Sequence, residues 1–203
     1  MAFPEVIALA SRNPGKIREI RTICADWPVR WVTAEDEANT GPWPVVEETG
    51  QTYAENALAK ARSVGEAVGT PALADDSGIE VDALGGGPGP RSARFAGPDA
   101  TEEENLARLI EAVADVPPPE RTARYRCVAV LARPGGPEVR AEGVCEGTLI
   151  ARPRGTGGFG YDPIFLPEGF DRTMAELSPH EKDRISHRGK ALRALGRILA
   201  GQP

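Results

Sequence analysis

The sequence predicts an α/β fold, and three observations carry that expectation. A short apolar run passes through a turn-forming segment into a stretch with helix-spaced isoleucines near the N-terminus. Two later apolar runs are joined by Pro134-Gly135-Gly136-Pro137, a hairpin signal. The last part of the chain carries leucines at helical spacing. Strands and helices mixed in this way call for a sheet with helices packed on it.

Taken in order, Glu5 to Ala10 reads as a buried strand, followed by the turn Ser11-Arg12-Asn13-Pro14-Gly15. Lys16 to Ala25 then reads as a helix with Ile17, Ile20 and Ile23 on one face, and Val29 to Val32 as a second strand. Trp27, Trp31 and Trp43 are expected in the core or packed under loops, and the Trp- and Pro-bearing stretch 39–46 fits no motif. Glu47 to Tyr53 leads into a helix over 54–68, with Ala57, Leu58, Ala61 and Val64 on its apolar face. Pro71 to Val81 reads as a strand that Asp75-Asp76-Ser77-Gly78 is expected to interrupt, and Leu84 to Pro90 as a loop. Thr101 and Glu104 form a capping box for a helix to about Ala114, which Pro117 to Pro119 close off. The hairpin strands run over 124–133 and 138–146, a Gly-rich loop over 154–162 and a short strand over 164–166. Ser178 as N-cap, Pro179 at N1 and Glu181 at N3 start another helix. The final helix covers about His187 to Ala200, with Leu192, Leu195 and Leu199 inward.

With 203 residues, 40% of them hydrophobic and 27% charged, the chain is read as a single domain over 1–203 with a sizeable core. The 23 glycines and 19 prolines fall in short clusters, which marks turns and not a linker. A net charge of −6 excludes a broad nucleic-acid-binding face, though a local pocket can still hold a small anion. Cys24, Cys127 and Cys145 are an odd number without metal-type spacing, so they read as buried thiols in a reducing compartment. The N-terminal segment has no basic n-region and too short an apolar run for a signal peptide or a membrane span; the expected location is the cytoplasm. Only four of the 24 basic residues are lysines: Lys16, Lys60, Lys182 and Lys190. Where arginine is the habitual cation, a lysine hints at a place that wants a compact ammonium.

Four groups of residues can carry chemistry. The loop Ser11 to Lys16 leaves a strand and opens a helix, so its backbone N–H groups, with Ser11, Asn13 and Lys16, suit phosphate oxygens; it also reads as a plain N-cap and turn, and it is no Walker A loop. Glu47-Glu48 and Asp75-Asp76 place carboxylates where repulsion invites a cation, and Mg²⁺ prefers such oxygen ligands. Solvated loop acids are the plainer alternative. In Thr156 to Asp162, glycines let the backbone approach a planar ligand and Phe159 can stack on a base, or Phe159 and Tyr161 are core residues beside a glycine bend. In the fourth group, Lys182, His187 and Arg188 offer donors, and the positive end of the last helix disfavours protonation of His187. No Ser–His–Asp order or Cys–His pair favours nucleophilic catalysis.

Five segments, 11–20, 47–61, 72–97, 155–165 and 175–192, together resemble the inosine/xanthosine triphosphate pyrophosphatase family in the expected order. The resemblance implies hydrolysis of ITP, dITP and XTP to the monophosphate and pyrophosphate, with Mg²⁺, by a homodimer. It implies a long twisted mixed sheet flanked by helices, with two lobes around a central active-site cleft. Carried over by position, Asp76 matches the general base, and Glu47 with Asp76 the metal carboxylates. Ser11, Asn13 and Lys16 match the triphosphate loop, Lys60 a further phosphate-side lysine and Ser77 a substrate contact. Phe159, Gly160, Tyr161, Asp162, Lys182, His187 and Arg188 match the nucleoside pocket. Ser11 stands where many relatives have threonine, and both supply a hydroxyl. Two other readings stay open: a pyrophosphatase for modified pyrimidine or methylated nucleotides, and a non-catalytic nucleotide-binding sensor. A panel of triphosphates separates the first, and a Mg²⁺-dependent pyrophosphate-release assay the second.

Overall fold

The structure, a computed structural model, describes residues 2–36 and 43–202. Part of the unplaced stretch, residues 39–42, lies outside them. Seven strands form one mixed sheet: β1 (Val6–Leu9), β2 (Arg30–Val32), β3 (Ala72–Val81), β4 (Gly87–Pro88), β5 (Thr122–Ala132), β6 (Glu138–Leu149) and β7 (Phe165–Pro167). The order is β2-β1-β3-β5-β6-β7, with β4 on β3; β1 runs parallel to β2 and β3, while β3–β4 and β6–β7 are antiparallel. The helices are α1 (Pro14–Ile23), α2 (Tyr53–Val68), α3 (Glu102–Ala112), α4 (Pro179–Ile185) and α5 (His187–Leu199). The α/β expectation holds.

The chain divides into two compact units, one of residues 1–76, 127–143 and 188–203, the other of 77–126 and 144–187. In the first unit the strand period of two sorts residues onto two cores. Ile7, Leu9, Leu73, Cys127, Ala129 and Leu131 pack with Ile20 and Cys24 of the α1 segment and with Ala191, Leu192, Leu195 and Leu199 of α5. Their alternates Ala8, Ala72, Ala74, Val128, Val130 and Ala132 pack with Tyr53, Ala57, Ala61 and Val64 of α2. Covering both faces explains why these strands read as continuous apolar runs. Trp43 is buried in the second cluster, whereas Trp27 and Trp31 stack at 5.9 Å against the first.

The second unit has its own core, built on Ile79, Val81, Leu109, Tyr125, Leu149, Ile164, Phe165 and Met174. The capping boxes at Thr101/Glu104 and Ser178/Glu181 form as expected, and a third, Thr52/Glu55, starts α2. Two readings are corrected. The 84–90 loop contains β4, whose Gly87 and Pro88 pair with Val81 and Glu80. More consequentially, β3 runs unbroken through Asp75-Asp76-Ser77-Gly78. Successive side chains leave opposite faces of a strand, so the two aspartates need not confront each other.

Gly78 allows the second unit's chain to close on itself. A Cβ there would stand 2.3 Å from the Gly89 carbonyl oxygen and 2.5 Å from Ser92 Oγ. That hydroxyl is already committed, accepting from Ile79 N at 2.9 Å and donating to Gly89 O at 2.6 Å. Gly78→Ala is therefore expected to destabilise by about 1–3 kcal/mol through overpacking against backbone, read as a lower midpoint in urea with unchanged slope.

Candidate active site

The two faces of β3 organise the candidate residues of the first unit. Leu73 belongs to the α1/α5 side, and two residues on Asp75 turns the same way; Ala74 belongs to the α2 side, and Asp76 follows it. Their partners differ accordingly.

Asp75 is fully buried, and its Oδ2 collects cations. Arg188 of α5 donates from Nε at 3.2 Å and Nη2 at 3.0 Å, Lys16 Nζ lies at 3.2 Å, and the Cys127 thiol donates at 3.8 Å. The remaining Arg188 nitrogen, Nη1, is bonded to Glu19 of α1. Burial alone would raise the Asp75 pKa, but Arg188, Lys16 and Lys60 override it and hold the carboxyl far below the ordinary aspartate value. Burial works against the Arg188 charge too, and Asp75 with Glu19 more than offsets it. Burial and the Asp75 charge push the Cys127 thiol up, so it stays a protonated donor.

Asp76 has a different environment. Its Oδ1 lies 3.1 Å from Lys60 Nζ, which also meets Glu48 Oε1 at 2.7 Å. Its Oδ2 accepts from Asn56 Nδ2 at 3.1 Å, and Asn56 Oδ1 in turn accepts from Gly50 N at 2.9 Å. One buried amide thus ties the acidic loop ahead of α2 to the carboxylate on β3. Burial raises the Asp76 pKa above the ordinary value, against the pull of Lys60 and Lys16 and with repulsion from Glu48. Burial opposes the Lys60 charge, yet Asp76, Asp75 and Glu48 hold its pKa above the usual lysine value.

At the start of α1, Asn13 is the N-cap: its Oδ1 accepts from Lys16 N at 3.0 Å, while Ser11 Oγ accepts from Asn13 N at 3.3 Å. These bonds use the acceptor halves of both side chains, leaving the Ser11 hydroxyl proton and the Asn13 NH₂ as donors for an anion. Glu47 is exposed, and the acid of this pair that meets Lys60 is its half-buried neighbour Glu48.

The second unit assembles a separate constellation on Asp162. Its Oδ2 accepts from Phe159 N at 2.9 Å and from Lys182 Nζ at 2.5 Å, and its Oδ1 from Tyr125 OH at 3.2 Å. Lys182 Nζ also stands 4.8 Å from the Phe159 ring centroid. The Tyr125 ring stacks on His187 at 4.6 Å, the planes 8° apart. Gly158 makes the tight loop possible: its φ is 71°, and a Cβ would fall 2.0 Å from Asp162 Oδ2. Gly160 N donates to Glu102 Oε2 at 2.9 Å. Tyr161 is a core residue whose hydroxyl donates to Ser92 O at 2.7 Å, and Ser77 is half-buried on β3.

The structure thus gathers Lys16, Lys60 and Asp76 in the first unit with Asp75, and Phe159, Asp162, Lys182 and His187 in the second. Arg188 meets the first of these sets, its guanidinium bonding Asp75 and Glu19. Glu19, Asn56 and Tyr125 were not singled out from the sequence as site residues, and Glu48 was named only beside Glu47 in the acidic group. A T-x-x-E pattern at Thr52 was the one available local sign that Asn56, one residue past Glu55, sits in the first turn of a helix.

Comparison with known proteins places these features. The family model described as the Ham1 family matches residues 7–198. A dITP/XTP pyrophosphatase of Streptomyces coelicolor is 52% identical over 191 residues, 93% of this chain and 94% of that one. One of Geobacillus kaustophilus is 47% identical over 93% and 91%. Among solved structures, a HAM1 protein from Coxiella burnetii aligns with a TM-score of 0.86 at 40% identity, covering 98% of this chain and all of that one. A nucleoside-triphosphatase / dITP/XTP pyrophosphatase from Mycobacterium abscessus aligns with a TM-score of 0.74 at 42% identity, covering 96% and 99%.

Proposed function

The chain belongs to the Ham1 family, and from that premise we propose that it hydrolyses deaminated purine nucleoside triphosphates, dITP, ITP and XTP, to the monophosphate and pyrophosphate. The observation that carries this reading is the separate partnering of adjacent aspartates on β3: Asp75 meets Arg188 and Lys16, while Asp76 meets Lys60 and Asn56. We assign the triphosphate to Ser11, Asn13, Lys16 and Lys60, and the base to Phe159 and Lys182 with the main chain of the 158–160 loop.

Asp76 takes the proton of the attacking water as its oxygen bonds to the α-phosphorus, and the bond to the β-phosphate oxygen breaks to release pyrophosphate. A carboxylate whose charge is opposed by burial is a better base than a solvated one. Lys16 and Lys60 stabilise the charge on the departing group. The donor set also suits Mg²⁺. Among the described residues no three His, Cys, Asp or Glu side chains cluster closely enough to hold a metal alone. One or two carboxylates, with water and phosphate oxygens completing the shell, is how this hard ion binds at phosphate sites. Glu47 and Asp76 would hold it, and when bound it supplies charge neutralisation at the phosphate oxygens.

Hypoxanthine and xanthine present an O6 acceptor where adenine presents an amine, and the Lys182 ammonium, a donor-only group, suits the former. Pyrophosphate release across ITP, XTP, GTP, ATP and dUTP tests the reading: ITP and XTP are expected to lead, with turnover abolished by chelator and restored by Mg²⁺. Equal kcat/KM for ITP, ATP and GTP would overturn it. The resemblance further supports a homodimer. The free, buried state of Cys24, Cys127 and Cys145 supports a reducing compartment such as the cytoplasm; among the described residues no helix is long and apolar enough to cross a membrane.

A further inference from the structure

The assigned roles leave Tyr125 unused, although it touches two of the candidate base-side residues. It sits on β5, 6% exposed, with its ring against Phe165 at 4.7 Å on one contact and flat against His187 on another. Its hydroxyl reaches Asp162 Oδ1 at 3.2 Å, while Phe159 N and Lys182 Nζ hold Oδ2. Asp162 is 3% exposed, and its carboxylate, which meets Lys182 and the Phe159 backbone, carries donors on both oxygens.

That arrangement has a chemical consequence. A carboxylate is acceptor-only. Exposed to a bound purine, it would welcome an exocyclic amine, N6 of adenine or N2 of guanine, and would offer nothing to the oxo groups of hypoxanthine and xanthine. We propose that Tyr125 is a positioning residue for base selection: its hydroxyl, with Phe159 N and Lys182 Nζ, fixes Asp162 in its buried orientation, and so keeps that carboxylate from serving as an acceptor for amine-bearing purines. The inference rests on the base lying against Phe159 and Lys182, as assigned above. It also supplies a reason for guanine to be refused while xanthine is admitted. On this arrangement the 2-amino group of guanine is not offered the Asp162 carboxylate, whereas the 2-oxo group of xanthine calls for no acceptor. An unmet donor in a desolvated pocket is costly.

The test compares the parent with Tyr125→Phe, which keeps the ring on His187 and Phe165 and removes only the hydroxyl, and with Tyr125→Leu, which removes the stack as well. Two ratios are read for each protein: kcat/KM for dGTP over dITP, and the dissociation constants of dGMP and dIMP by titration calorimetry. For Tyr125→Phe the dGTP-to-dITP ratio is expected to rise about tenfold, through KM and not kcat, with a parallel shift in the monophosphate constants. A merely structural role would lower both substrates together, leaving each ratio at the parental value in both variants; that result overturns the inference. The calorimetric ratio separates this failure from failure of the functional reading. A parent that binds dIMP over dGMP without hydrolysing dITP refutes the activity alone, and a parent with no such binding preference refutes the base assignment and Tyr125 together.

Discussion

Asp76→Asn is expected to lower kcat on dITP by roughly 10²–10⁴-fold, the span of a positioned general base, while the protein stays folded. The two halves of this expectation have one cause. Burial holds the folded-state pKa of Asp76 above the ordinary value. A group with a raised folded pKa binds its proton more tightly in the native state, so its ionisation at neutral pH works against folding. Neutralising it removes that opposition. Lys60 keeps Glu48 at 2.7 Å, and an asparagine at 76 can still accept from Asn56 Nδ2 through its amide oxygen. The thermal midpoint is therefore expected within a few degrees of the parent's. Stopped assays with dITP under saturating Mg²⁺, beside a thermal melt, check both halves: near-parental turnover removes Asp76 from the role of base, and a collapsed melt shows that its charge stabilises the fold.

Much of the fold was legible because the signals were local. Thr101 and Glu104, or Ser178, Pro179 and Glu181, lie within four residues of each other, and their capping boxes form as read. The alternation of β1, β3 and β5 residues between two cores and the inward leucines of α5 follow from periods of two and of 3.6 residues. Three of the four lysines, Lys16, Lys60 and Lys182, each meet an aspartate, at 75, 76 and 162. What failed was non-local. The break expected at Asp75-Asp76 came from counting the cost of two carboxylates without knowing what meets them. The compensating Arg188 is 113 residues away, and its second acid, Glu19, lies 169 residues from it. Nor did the neighbourhood of Arg188 in the sequence show that its guanidinium meets Asp75 and Glu19. A helix start can point consecutive residues in different directions: His187 stacks on Tyr125, while Arg188 turns to β3 and α1.

Asp75→Asn is expected to do what Asp76→Asn does not, and to cost about 3–5 kcal/mol of stability, as breaking a buried ion pair from one side does. The substitution leaves Arg188, fully buried, with Glu19 as its acid, and takes from Lys16 the carboxylate at 3.2 Å. An amide nitrogen placed among these donors would have no acceptor to meet. Since domains hold only about 5–15 kcal/mol in total, the variant should unfold at a much lower urea midpoint. The pH dependence has a definite sign. Asp75 has a folded-state pKa far below its unfolded one, so its contribution is fully present above the unfolded value near 3.8 and is lost as pH falls through the folded value. The gap between parent and variant should thus stay constant from pH 7 down to about 5, and close only in strong acid. A double-mutant cycle with Arg188→Met isolates the pair: the doubly substituted protein should recover part of the loss, because the uncompensated guanidinium is gone. If the single variant loses less than about 1 kcal/mol, or if the gap already closes by pH 6, then the Asp75–Arg188 pair does not hold the first unit together in the way its burial implies.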